Sequence, residues 1–148
     1  MALSMSVQCH CGNVGFELHG QPAARANCHC QSCRDFYGTS ILSATAWSAE
    51  AVRVTGGQTA TFAHPTKQMS KTFCVNCGDT LFGTNRLGMR VVPNSVVARA
   101  AGGCLPEDWS PTMHLFYRYR VIDVADRLTK YLEGWDGPEY EALGSERS

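Results

Sequence analysis

Short apolar alternations recur along the chain. Val14, Phe16 and Leu18 alternate with polar neighbours; Ile41 and Leu42 precede Trp47; Val52 with Val54, Phe62, Leu81 with Phe82, and Met89 with Val91 and Val92 follow. Each stretch predicts a strand, because side chains two positions apart share one face of a sheet. The connecting segments "TGGQT", "AHPTK", "TNRLG" and "AAGG" carry turn residues. Brief strands with frequent Gly and Pro predict a mostly β domain. Helical periodicity is weak before residue 120. From Asp123 to Leu132 the spacing of Val124, Leu128, Tyr131 and Leu132 predicts a short amphipathic helix that Asp123 could cap. The polar end, residues 141–148, is expected to fray.

Length adds one constraint. A chain of 148 residues fits a single domain over 1–148, burying about 70% of its unfolded surface. Thirteen basic and thirteen acidic side chains cancel, so neither a phosphate backbone nor an anionic membrane is indicated as the main partner, and a small ligand is expected instead. The opening "MALSMSVQCHCG" has no basic, apolar, small-residue leader pattern, and no apolar run reaches membrane-spanning length. A cytoplasmic protein is expected. In that reducing compartment eight cysteines point to metal binding or thiol chemistry rather than to a disulfide framework.

The thiols fall into sets: Cys9 with Cys11; Cys28, Cys30 and Cys33; Cys74 with Cys77; and Cys104 alone. A C-x-C or C-x-x-C pair bends the backbone so that both sulfurs reach one ion, and two such pairs complete a tetrahedral zinc shell. Cys9, Cys11, Cys74 and Cys77 are therefore expected to form a closed site. Gly12 and Gly78 follow the two pairs, where a knuckle favours a residue without a Cβ. The rival reading of "CVNC" as a redox dithiol needs a helix start within a βαβ setting, which the surrounding alternation does not supply.

Cys28, Cys30 and Cys33 remain as ligands of a second ion, and three ligands leave a tetrahedral position open, as catalytic zinc sites do. Cys104 could close that site; the favoured reading is a small buried hydrophobe. His10 and His29 stand between ligand cysteines, so their side chains should point away from the metal, in supporting or surface roles. His19 and His64 read as turn residues beside Gly20 and Pro65.

Taken in order, "CHCGNVGFE", "CHCQSCRDFYG", "FCVNCGDTLF" and "SPTMHLF" resemble the glutathione-dependent formaldehyde-activating family, which includes centromere protein V. The resemblance covers most of the chain. It implies a β-tent fold of small antiparallel sheets with two zinc ions, one structural and one catalytic. It likewise places Cys9, Cys11, Cys74 and Cys77 in the structural set and Cys28, Cys30 and Cys33 in the catalytic set. The implied activity is that of a carbon–sulfur lyase, reversibly joining formaldehyde and glutathione into S-hydroxymethylglutathione.

With glutathione as the expected partner, two further residues become candidates. Arg34 follows the ligand loop directly and could meet a carboxylate through its planar fork; the alternative is an ordinary surface arginine. His114, in "PTMH", matches the family's P-x-x-H element, as either a satisfied core histidine or a pH-tuned acid or base. Two departures stand out: no tryptophan follows that strand in "YRYRVIDVAD", and Lys71 stands where an arginine usually precedes the F-C-x-x-C knuckle. Competing readings are a non-catalytic zinc module for protein or chromatin binding, which a basic tail would favour, and a redox or zinc-buffering thiol cluster.

Overall fold

The computed structural model describes residues 4–141. In chain order the strands are β1 (Ser4–Gln8), β2 (Gly15–His19), β3 (Ala24–Cys28), β4 (Leu42–Trp47), β5 (Val52–Gly56), β6 (Thr59–Ala63), β7 (Ser70–Cys74), β8 (Thr80–Thr84), β9 (Arg90–Pro93), β10 (Met113–Leu115) and β11 (Thr129–Lys130). Two helices, α1 (Gln31–Tyr37) and α2 (Asn94–Ala100), interrupt them. The fold is mostly β, as the alternations predict. Two compact units can be distinguished, Met1–Arg25 with Ala44–Ser110 and Ala26–Ser43 with Pro111–Ser148. The expected frayed tail lies, apart from Glu141, outside the described residues.

In the first unit β1, β2 and β5 form an antiparallel sheet in which Val7 pairs with Phe16 and Phe16 with Val54. A second antiparallel run follows the order β4-β9-β8-β7-β6. The inward residues are those of the alternation: Val14, Phe16, Leu18, Leu81, Val92 and Trp47 are buried in one cluster with Val96, Val97 and Trp109. Trp47 and Trp109 meet edge to face at 5.0 Å, and the Trp47 indole N–H donates to Thr45 Oγ1 at 2.8 Å, so the buried ring leaves no polar atom unpaired. Cys9 and Cys74 belong to the same cluster.

The second unit is smaller. Here β10 pairs in parallel with β3, Leu115 opposite Cys28, and with β11, His114 opposite Lys130.

The weak helical periodicity before residue 120 fits the two helices found there: α1 and α2 are each seven residues long, too short for a periodic apolar stripe to build up. Two expectations need correcting. Residues 123–132 are not a helix. Their polar groups are committed elsewhere: the Asp123 carboxylate accepts from Arg120 Nε, Val124 N–H donates to the Tyr117 hydroxyl, Leu128 N–H donates to Asp126 Oδ1, and Thr129 and Lys130 pair as β11. Finally, Cys104 is exposed rather than buried, because it follows the turn glycines Gly102 and Gly103 beyond the end of α2. Among the described residues no helix is long and apolar enough to cross a membrane.

Burial separates two leucines six positions apart, one on β8 and one in the turn that follows it. Leu81 is fully buried and Leu87 is 74% exposed. Leu81→Ala should cost about 2–5 kcal/mol in urea unfolding, whereas Leu87→Ala should stay within about 0.5 kcal/mol of the parent.

Candidate functional site

Two groups of cysteine sulfurs converge, one in each unit. In the first, Cys9, Cys11, Cys74 and Cys77 bring their sulfurs within 4.8 Å of one another. The turn after β1 supplies one pair and the turn after β7 the other. Each turn is closed by a backbone bond, Gly12 N–H to Cys9 O at 3.0 Å and Gly78 N–H to Cys74 O at 2.8 Å. Gly12 and Gly78 have φ of 80° and 76°, the left-handed region in which a side chain is strained. The glycines expected from sequence are thus explained by backbone geometry.

The sulfurs are wrapped in N–H donors. Val14 N–H reaches Cys9 Sγ at 3.2 Å, Asn76 and Cys77 N–H reach Cys74 Sγ at 3.3 and 3.4 Å, and the Asn76 side-chain amide reaches Cys11 Sγ at 3.3 Å. Donors aimed at sulfur favour thiolate over thiol. The Asn76 amide, helped by the backbone of Asn13, lowers Cys11 to about 6. Four converging cysteine sulfurs can hold a soft divalent metal ion. A contact not read from sequence ties the two turns together: Asp79 Oδ2 accepts from His10 N–H at 2.9 Å and from Arg99 Nη2 at 2.5 Å, and Arg99 also donates to Gln8 O. His10 therefore contributes its backbone, and its side chain is exposed.

The second group holds Cys28, Cys30 and Cys33, again with all sulfurs within 4.8 Å of one another. Cys28 ends β3. Cys30 caps α1, its sulfur accepting from Cys33 N–H at 3.3 Å, so the cap itself places the second and third sulfurs side by side. All three are half-buried. The hydrogen bond with Cys30 pushes Cys28 up to about 12, and Cys33 is raised by its bonds with Cys28 and Cys30 together with burial. An ion held there would have to displace those protons, because cysteine ligates as thiolate. Cys104 joins neither group.

Around this turn the structure places every other candidate. Arg34 is half-buried, and its Nε donates to His29 O at 3.0 Å, so one edge of the guanidinium is spent on the loop itself. His29 is fully buried, with Nε2 at 2.8 Å from His114 Nδ1. It supports the loop and faces a residue far away in sequence. Burial first, then the neighbouring His114, lowers His29 to about 4, leaving the ring neutral. His114 is also buried, and its Nε2 lies 2.8 Å from Asp126 Oδ2. Both of its nitrogens have partners. Burial raises Asp126, but bonds from Lys130, His114 and Leu128 N–H outweigh it and bring the carboxyl to about 2. Neither Asp126 nor Tyr37 is legible from spacing. Tyr37 is raised by burial and by the neighbouring Cys33 and Cys28, so its hydroxyl stays protonated beside the thiols.

The family model described as glutathione-dependent formaldehyde-activating enzyme matches residues 4–119. The chain belongs to this family. The match takes in both cysteine groups, Arg34 and His114, and stops short of Asp126 and Lys130. A solved structure of a Rhodobacter sphaeroides protein is similar at 22% identity and a TM-score of 0.48, covering 62% of this chain and 86% of that one. No curated protein matches the sequence.

For this formaldehyde-activating family member the two groups should respond differently to loss of a sulfur. Structural metal binding can supply about 10–16 kcal/mol in small zinc-binding peptides, comparable with the whole stability of a domain at about 5–15 kcal/mol. Cys74→Ser, which removes a buried acceptor of two backbone N–H groups, should unfold or aggregate the protein. Cys30→Ser should leave a cooperative melt by circular dichroism. The reverse ranking would contradict the assignment of roles.

Proposed function

We propose that the protein is a zinc-dependent carbon–sulfur lyase that joins glutathione to formaldehyde, or to another small electrophile, with one structural and one catalytic zinc per chain. The observation that carries this reading is the contrast between four converging sulfurs in one group and three in the other. Cys9, Cys11, Cys74 and Cys77 would hold the structural ion, and Cys28, Cys30 and Cys33 the catalytic one. Zinc, when held by these three sulfurs, would favour the deprotonated form of a thiol brought to it.

The chain's own residues then orient the reaction. Cys28, Cys30 and Cys33 fix where the incoming sulfur sits. Three thiolates carry more negative charge than the ion's +2, which blunts carbonyl polarisation and favours activation of the thiol. Arg34 keeps guanidinium N–H groups beyond the one bonded to His29 O, and these meet a glutathione carboxylate. In the joining direction a sulfur–carbon bond forms, the carbonyl π bond breaks, and the thiol's proton ends on the new alcohol oxygen. The cleavage direction reverses each change. Eight free cysteines suit a reducing compartment, and we infer a cytoplasmic location.

Elemental analysis of freshly purified, reduced protein should find up to two zinc ions per chain. Glutathione should bind far more tightly than S-methylglutathione, which cannot become a thiolate. Calorimetry in buffers of different ionisation enthalpy should register proton release on glutathione binding, with affinity rising as pH rises through neutrality. Because formaldehyde and glutathione combine unaided, activity is read as faster approach to equilibrium than with a Cys30→Ser control. Equal affinity for the methylated analogue without proton release would overturn thiol activation and leave a non-catalytic zinc module in its place.

A further inference from the structure

Behind the turn that carries Cys28, Cys30 and Cys33 runs a line of hydrogen-bonded side chains, buried at His29 and His114 and reaching solvent at Asp126, that begins at the residue between the first two cysteines. The backbone of His29 is held on both sides, its N–H donating to Leu115 O at 3.0 Å and its carbonyl accepting from Arg34 Nε at 3.0 Å. Its ring has one hydrogen bond, Nε2 to His114 Nδ1 at 2.8 Å; among the described residues Nδ1 has no partner. His114 Nε2 faces Asp126 Oδ2 at 2.8 Å. Opposite a carboxylate that nitrogen carries the proton, so His114 Nδ1 is the acceptor and His29 Nε2 the donor.

The far end of the line is anchored as firmly. Asp126 Oδ1 accepts from Lys130 Nζ at 2.7 Å and from Leu128 N–H at 3.1 Å, and Lys130 lies on β11 opposite His114. The Tyr117 ring packs against His29 and His114 at 5.0 and 5.6 Å. Burying two imidazoles costs solvation that apolar residues of equal size would not lose. What an apolar pair would not provide is a directional contact that sets the His29 ring and, through it, the backbone between Cys28 and Cys30. Groups bonded to a ligand govern metal affinity in many sites without touching the ion, and here His114 and Asp126 would act further out, through the backbone that joins two of the cysteines.

We propose that Asp126 and His114 are positioning residues for the three-cysteine site, acting through His29 to set how tightly that site holds a divalent, sulfur-seeking metal ion. This rests on reading the three cysteines as a metal site. Asp126 and Lys130 lie beyond the residues that the family model matches.

The test uses the reduced full chain loaded with cobalt(II), whose visible bands report sulfur ligation, in competition with a chromophoric chelator. Asp126→Ala, which leaves the buried His114 Nε2 without its acceptor, should weaken the three-cysteine site by up to about 10-fold and shift its cobalt bands, while the four-cysteine site keeps its affinity. Asp126→Asn, which keeps an acceptor oxygen for His114, should fall between Asp126→Ala and the parent. His114→Gln should repeat the loss; if it does not fold, the partly exposed Asp126 still decides. Unchanged affinity at the three-cysteine site, or equal weakening of both sites with a lowered melting temperature, would overturn the proposal. The underlying reading fails separately: in that case Cys30→Ser would leave cobalt stoichiometry at the parent value, and the positioning role would fall with it.

Discussion

Convergence of the Cys9, Cys11, Cys74 and Cys77 sulfurs is the constraint on which the first unit depends. Its strands are four or five residues long, apart from β4, and short strands gain little from pairing alone. Cys9 and Cys74 sit inside the hydrophobic cluster itself, so the point where the two turns meet is also where the sheets bury their apolar faces. Asp79 and Arg99 fasten the same point from the solvent side. An ion held there and the core packing would therefore act on one set of residues and could not be separated by mutation at Cys74.

The second group is built on a different principle. Its sulfurs come from one short turn and the first residues of a helix, and they are half-buried where Cys9 and Cys74 are buried. The loop is held by its surroundings: Arg34 on its carbonyl, Leu115 on its N–H, and His114 on the ring of His29. In the proposed reading this second site does not carry the fold and is free to exchange what it binds, a division of labour on which the proposed chemistry rests.

Much of this was readable from sequence because the relevant signals are local. Alternation marks a strand within a few residues, and the seven cysteine positions declare themselves by spacing. Gly12 and Gly78 follow from the backbone of a knuckle. The failures are equally physical. Helices of two turns leave no periodic trace, so α1 and α2 are invisible beside the cysteine motif and the turn glycines that border them. The expected helix over 123–132 fails because the Tyr117 hydroxyl and the Asp126 carboxylate, partners set by tertiary placement, capture its backbone N–H groups. His114 was legible as a motif residue, but its connection to His29 depends on the parallel pairing of β10 with β3, which no spacing rule specifies. Cys104 shows the weakness of reasoning from residue type alone.

X-ray absorption at the zinc edge, on zinc-loaded protein with and without glutathione, tests the central claim most directly. The account predicts an average sulfur shell that falls short of four in the free protein, rises to a full four when glutathione is added, and does not rise with S-methylglutathione. A shell already complete without glutathione, or one that glutathione leaves unchanged, would contradict it.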